Sequence, residues 1–277
     1  MWRRRVERGK TYYYSDELND DFAGNSIEGL KIGRDYSFAP DGVLWRICEF
    51  IVYYLIAIPA VFVICFVFSG FSIKNRKAVS RLRRARKERG GKGFFIYANH
   101  THWLDAFIAP LVCFPQKAHV ITSPDAVSIK GLGVIVKMLG AIPIPTERDA
   151  IPLFVEAVSK RIAMGRSVMI FPEAHIWPYC TFVRDFKVGS FRYPLKEEVP
   201  VVAVCTTYTR RRGLFAFRKS PKRNVFVSEP FYPEGGMPMP AAKQKLRDGV
   251  YVWLRDKAAE NSDYEYVHYE KTAESNS

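Results

Sequence analysis

The sequence predicts an α/β fold: a central mixed β-sheet flanked by helices, preceded by an N-terminal membrane-embedded helical element. Three observations carry this. From residue 93 onward, short β-branched apolar runs alternate with runs of helical period. Polar clusters fall where the strand candidates end, which is where sites form in sheets of this kind. Upstream, FIVYYLIAIPAVFVICFVF, residues 50–68, has nineteen residues without a charge, close to the ~20 that cross a bilayer.

Composition narrows the partners. Lys and Arg outnumber Asp and Glu by 42 to 28, a net charge of +14 in 277 residues. Such a balance favours an acidic partner, either nucleic acid or an anionic membrane surface. The five cysteines, Cys48, Cys65, Cys113, Cys180 and Cys205, are odd in number and widely spaced. They read as reduced, structural residues in a cytoplasmic compartment.

Residues 1–42 form a polar N-terminal extension with an acidic patch at Asp16, Glu17, Asp20 and Asp21. Residues 43–71 hold the membrane segment. It begins too far from Met1 for a cleavable signal peptide. Pro59 removes a helix hydrogen bond in its middle, so it predicts either a kinked spanning helix or a hairpin that dips into one leaflet. The following stretch, 72–92, carries ten Lys or Arg and one Glu. It predicts a basic interfacial helix on the cytoplasmic side. The N-terminal flank is also basic, which favours the hairpin on the cytoplasmic face. Next to a membrane segment, the basic stretch fits anionic headgroups better than nucleic acid.

Residues 93–260 form the soluble domain. GFFIYANH predicts a buried strand ending in a loop, LDAFIAPLVCF a helix containing Pro110, and AHVITS a second strand. A short helix over 131–139 precedes an extended AIPIP. Asp149 predicts the cap of a helix from about 150 to 164, stopped by Gly165. SVMIFPEA, VPVVAVCTTY and NVFVSEPF predict three more strands. AAKQKLRDGVYVWLRDKAAE predicts an amphipathic helix with Leu246, Val250, Trp253 and Leu254 on one face. Residues 261–277 predict a loose C-terminal tail. The segment TRRRGLFAFRKSPKRN, 209–224, mixes Leu214, Phe215 and Phe217 with positive charge and fits a membrane surface or a mobile loop.

The chemistry gathers in ANHTHWLDAF, residues 98–107. His100, His102 and the distant His175 offer metal ligands, but the loop lacks the further ligand that a binuclear site would need. Alternatively, Asp105 folds back onto His100, fixes one imidazole nitrogen and leaves the other to take a proton from an alcohol. The third reading is a packed core histidine with Asp105 as a helix cap.

Three further stretches follow in order: GAIPIPTER (140–148), FPEAH (171–175) and VPVVAV (199–204), with FKVGSFRYP (186–194) before the last. With NHTHWLD, they resemble the motifs of the glycerolipid acyltransferase family, which includes the 1-acylglycerol-3-phosphate acyltransferases. The resemblance covers roughly residues 93–206. It implies transfer of a fatty acyl group from acyl-CoA or acyl carrier protein to a lysophospholipid hydroxyl. His100 would be the general base, Asp105 its partner and Glu173 an organiser of the acceptor site. No cofactor or metal is expected, only the thioester co-substrate. Membrane lipids would be the partners, with no nucleic acid.

The departures fall where the acceptor would be read. Thr146 stands at the usual arginine position of the second motif, with Arg148 two residues later. Ala174 and Ile176 replace the glycine and arginine of the third. Arg184 and Lys187 lie close enough in sequence to supply that charge. The candidate site is therefore His100 and Asp105 for catalysis, with Asn99, Glu173, Arg148, Arg184 and Lys187 for substrate. A metal-dependent hydrolase and a non-catalytic membrane adaptor are the alternatives.

Overall fold

The structure, a computed structural model, describes residues 6–22, 29–213 and 216–272. Leu214 and Phe215 of the mixed aromatic and basic segment lie outside them. Seven strands form the central sheet: β2 (Ser72–Lys74), β3 (Phe94–Ala98), β4 (Ala118–Thr122), β5 (Ala141–Pro143), β6 (Ser167–Ile170), β7 (Val201–Thr209) and β8 (Lys222–Val227). Their order is β2-β8-β7-β3-β6-β4-β5. The run β7-β3-β6-β4-β5 is parallel, β8 is antiparallel to β7, and β2 is parallel to β8. The predicted mixed α/β sheet is therefore the observed one.

Burial on both faces explains why these strands read as continuous apolar runs. Phe95, Tyr97, Val168, Ile170, Val201 and Ala203 point to one face. There they meet helix Ile151–Ala163 and helix Met239–Asn261, the latter through Leu246, Val250 and Leu254. Phe94, Ile96, Ala98, Met169, Val202 and Val204 point to the other. That face is covered by helix Lys77–Arg84, helix Ile108–Cys113 and the carboxyl half of the long apolar helix. Gly165, at φ +75°, ends helix Ile151–Ala163 as predicted. Asp149 makes no side-chain cap; it lies within a short turn, Arg148–Ala150.

The apolar run is one helix, Val43–Phe68. It is not a hairpin. Wide π-type turns over Ile51–Ala57 and Val63–Phe68 flank a short α segment, Ile58–Phe62. Pro59 lies inside this continuous helix, where it removes one backbone hydrogen bond at the junction of the first wide turn and the α segment. At ~1.5 Å per residue the helix is ~39 Å long, and it lies along the domain. Near its start, Glu49 pairs with Lys117 at 2.7 Å, and Tyr54 donates to the Pro115 carbonyl. At its end, Arg211 donates to the Ser69 carbonyl at 2.7 Å, and Arg218 donates to the Phe68 carbonyl. Only 17% of its apolar window is buried, so it is not a core helix.

Three predicted boundaries move. The basic stretch 72–92 is not a free interfacial helix. It opens with edge strand β2 and then buries Ala78, Val79 and Leu82 beneath its arginines. The polar extension 1–42 contributes Ile32 and Phe38 to the core. The expected tail at 261–277 holds strand β9 (His268–Lys271), which pairs in parallel with β1 (Thr11–Tyr14). Tyr12, Phe22, Trp177 and Tyr269 pack together behind this small sheet. All five cysteines are free thiols.

Tyr269 stacks on Trp177 at 4.9 Å and donates its hydroxyl hydrogen to the Pro178 carbonyl. Tyr269→Ala is expected to lower unfolding stability by about 3 kcal/mol in urea titrations of the detergent-solubilised protein. An unchanged midpoint would mean that the aromatic cluster does not hold β1 and β9 in place.

Candidate active site

The parallel strands all point their carboxyl ends to one edge, and the predicted chemistry collects there. The loop Asn99–His102 follows β3. The Asn99 side chain donates to the Thr206 carbonyl at 2.9 Å and accepts from the Thr206 amide at 2.8 Å. Both ends of the amide are therefore spent on β7. Asn99 is a clamp between strands and not a substrate contact, which corrects the sequence-based expectation.

Glu173, after β6, secures the loop from the other side. Its Oε2 accepts the His100 amide at 2.9 Å, and its Oε1 accepts the Arg184 amide at 3.0 Å. The Trp177 and Tyr179 amides add bonds to the carbonyls of His100 and Thr101. Thr101 Oγ1 lies 2.7 Å from the Tyr208 hydroxyl.

Asp105 is fully buried, and its Oδ2 is crowded. It accepts the amides of Thr101 and His102, each at 2.7 Å, and faces His100 Nδ1 at 3.4 Å. That last contact is longer than an ordinary hydrogen bond, as catalytic pairs often are before substrate binds. The imidazole of His100 stacks flat on Phe171, with centroids 3.9 Å apart. Nδ1 thus faces Asp105 and Nε2 is the nitrogen left for a substrate. Asp105 is also the cap envisaged in the third reading. It completes a capping box with His102 at the start of the turn Trp103–Phe107.

His102 accepts the Leu104 amide through Nδ1 at 3.1 Å. Burial, with the positive charge of Arg223 adding to it, holds its pKa well below the usual histidine value, so it stays neutral. His175 lies instead near Asp21, 3.7 Å away. Among the described residues, no group of three or more His, Cys, Asp or Glu side chains is arranged to hold a metal ion. The three histidines of the hydrolase reading do not form a shared site.

Arg184 is not a surface anion reader. It is buried, lies over the Trp177 ring and pairs with Glu173 at 3.3 Å. It also donates to the carbonyls of Glu17 and His175. Lys187 and Arg148 are exposed. Arg148 lies beyond edge strand β5, three strand spacings or ~14 Å from β3. The structure therefore joins His100, Asp105 and Glu173 and leaves Arg148 and Lys187 apart from them.

One cation was missed. Arg223, on β8, is the cross-strand partner of Tyr208. It is buried over Phe71, and its Nη1 has no hydrogen-bond partner among the described residues. Its signal lay in KRNVFV, a strand whose otherwise apolar inner face begins with an arginine.

Residues 73–207, the segment that holds all the motifs, match the family described as Acyltransferase. The chain carries an acyltransferase-family domain. It is also similar to the crystal structure of the 1-acyl-sn-glycerophosphate (LPA) acyltransferase, PlsC, from Thermotoga maritima. That match has a TM-score of 0.51 and 17% identity, and covers 78% of this chain and 79% of that one. At such identity the likeness is one of fold. No curated protein matches the sequence. The acyltransferase domain begins at β2, inside what the sequence suggested was a separate basic helix.

The replaced glycine of the third motif left a mark on this domain. Ala174 adopts φ +64°, a left-handed conformation that costs a residue with a Cβ about 1 kcal/mol. Ala174→Gly should leave thermal stability unchanged or raise it by up to ~1 kcal/mol, since glycine also loses more chain entropy. Ala174→Val should lower it clearly. A marked loss on Ala174→Gly would show that this turn does not strain alanine.

Proposed function

We propose that this protein is a membrane-bound lysophospholipid acyltransferase of the 1-acylglycerol-3-phosphate type, using a thioester donor. The observation that carries the reading is the His100–Asp105 pair, set at the carboxyl edge of an acyltransferase-family domain beside the end of an exposed apolar helix. His100 Nε2 takes the proton of the acceptor hydroxyl as its oxygen attacks the thioester carbonyl carbon. The tetrahedral intermediate collapses, the C–S bond breaks, and the imidazolium returns the proton to the leaving thiolate. Asp105 orients the ring and balances the imidazolium charge.

The loop amides of His100, Thr101, His102 and Leu104 are all occupied within the protein. These four amides are therefore not free to steady the oxyanion, which draws on other donors. Arg223 is the cation suited to the acceptor phosphate. A buried guanidinium whose Nη1 lacks an acceptor is costly, and a phosphate oxygen would satisfy it. The apolar helix lies in the plane of the membrane. Both its ends are tied to the domain, so Phe62, Val63, Val67 and Phe68 face lipid while the site opens beside them. The basic residues of 72–92 favour the cytoplasmic face for the domain.

Purified protein supplied with acyl-CoA or acyl carrier protein thioesters and a panel of lysolipids should form diacyl product by mass spectrometry. His100→Ala should reduce turnover at least ~100-fold. Retained turnover would exclude the mechanism, and none in the native protein would favour a non-catalytic adaptor. Arg223→Gln should raise the KM for lysophosphatidate about tenfold or more and change kcat less. With an acceptor that lacks phosphate, the two proteins should have equal KM.

A further inference from the structure

A second lipid-facing feature lies at the opposite end of the molecule. Beside the amino half of the apolar helix, an open cavity of about 330 Å³ separates the helix from the amino edge of the sheet. Arg46, Arg86, Lys117 and Arg166 line it, against the single carboxylate of Glu49. That carboxylate is already matched. Lys117 sits 2.7 Å away and is itself buried, and Arg166 lies at 3.7 Å. Arg46 pairs with Asp41 and stays largely exposed. The cavity therefore keeps an excess of positive charge, contributed by four separate stretches of chain.

The geometry is built rather than incidental. Arg86 donates to the Gly91 carbonyl and lies flat over Gly165. A Cβ at 165 would come within 2.1 Å of the guanidinium carbon and push Arg86 aside, while the φ of +75° independently favours glycine there. The same glycine that ends helix Ile151–Ala163 thus forms part of the cavity floor. Phe50 and Met164 are exposed apolar side chains that line the cavity, continuous with the open apolar face of the helix. A cationic floor with an apolar wall matches the two parts of a phospholipid, its phosphate and the first carbons of its chains. The five residues of β3 put ~17 Å between the two edges of the sheet. A phosphate bound here would lie well away from His100.

We propose that this cavity holds the phosphate of an anionic membrane phospholipid as a non-reacting anchor. It would fasten the amino half of the helix between bilayer and domain. The proposal rests on the membrane reading of the helix and not on acyl transfer.

Native mass spectrometry of the full chain, extracted in mild detergent with phosphatidylglycerol, counts the retained lipid. Wild type is expected to keep one more phosphatidylglycerol than Arg86→Gln/Arg166→Gln, while Arg148→Gln, at an exposed position outside the cavity and the His100 site, keeps the wild-type number. Arg86→Gln alone, which leaves the buried pairs intact, should give a reduced occupancy. Equal counts in wild type and both cavity variants overturn the proposal. Displacement of the lipid by an equal concentration of inorganic phosphate also overturns it, because the site would then be one for a free anion. Flotation with phosphatidylcholine vesicles tests the membrane reading separately. Wild type that fails to float with vesicles of any composition defeats that reading itself.

Discussion

The arrangement of the site hangs on one buried ion pair. Glu173 and Arg184 lie out of solvent on the third motif and the loop after it. Removing charges from water is costly, and the cost is tolerable only if every oxygen and nitrogen finds a partner. Here the partners are the backbone of the loop that carries His100, the backbone at Arg184, and carbonyls of Glu17 and His175. The pair therefore couples the His100 loop, the loop after β6 and the N-terminal extension. Loss of either partner would leave the other charged and buried, and would release the His100 loop along with it.

A second constraint comes from the helix. Its exposed side chains are too apolar for water, while its other side carries charge and hydroxyl groups into the domain. Burial pulls the Lys117 ammonium down to about 8, and Glu49 beside it opposes that shift. A polar seam inside an apolar helix is tolerable only against protein. The helix thus has two unlike flanks, an exposed apolar one and a polar one set against the domain.

Much of this was legible in the sequence. The strands of the central sheet could be read because burial on both faces leaves uninterrupted β-branched runs. His100, Asp105 and Glu173 could be read because their spacing is local to single motifs. What escaped depends on contacts across long separations. β1 and β9 are only four residues each, and their pairing joins positions more than 250 apart. The roles of Asn99 and Arg184 were misjudged for a related reason. A polar side chain in a motif looks the same whether it faces substrate or closes a buried network. Arg223 escaped because it lies outside every motif, and only its burial marks it out. The apolar run itself was clear, but its path was not. Charge on both flanks suggested a hairpin, whereas contacts to Lys117 and Arg211 hold it extended along the domain.

The pairing of β1 with β9 also carries a temporal consequence. On the ribosome, β1 emerges more than 250 residues before its partner. Until then Trp177 lacks the Tyr269 ring, and the N-terminal strand has no edge to join. By that stage the apolar helix and the whole central sheet have already been made. The aromatic cluster behind β1 and β9 therefore closes only after the central sheet has been made.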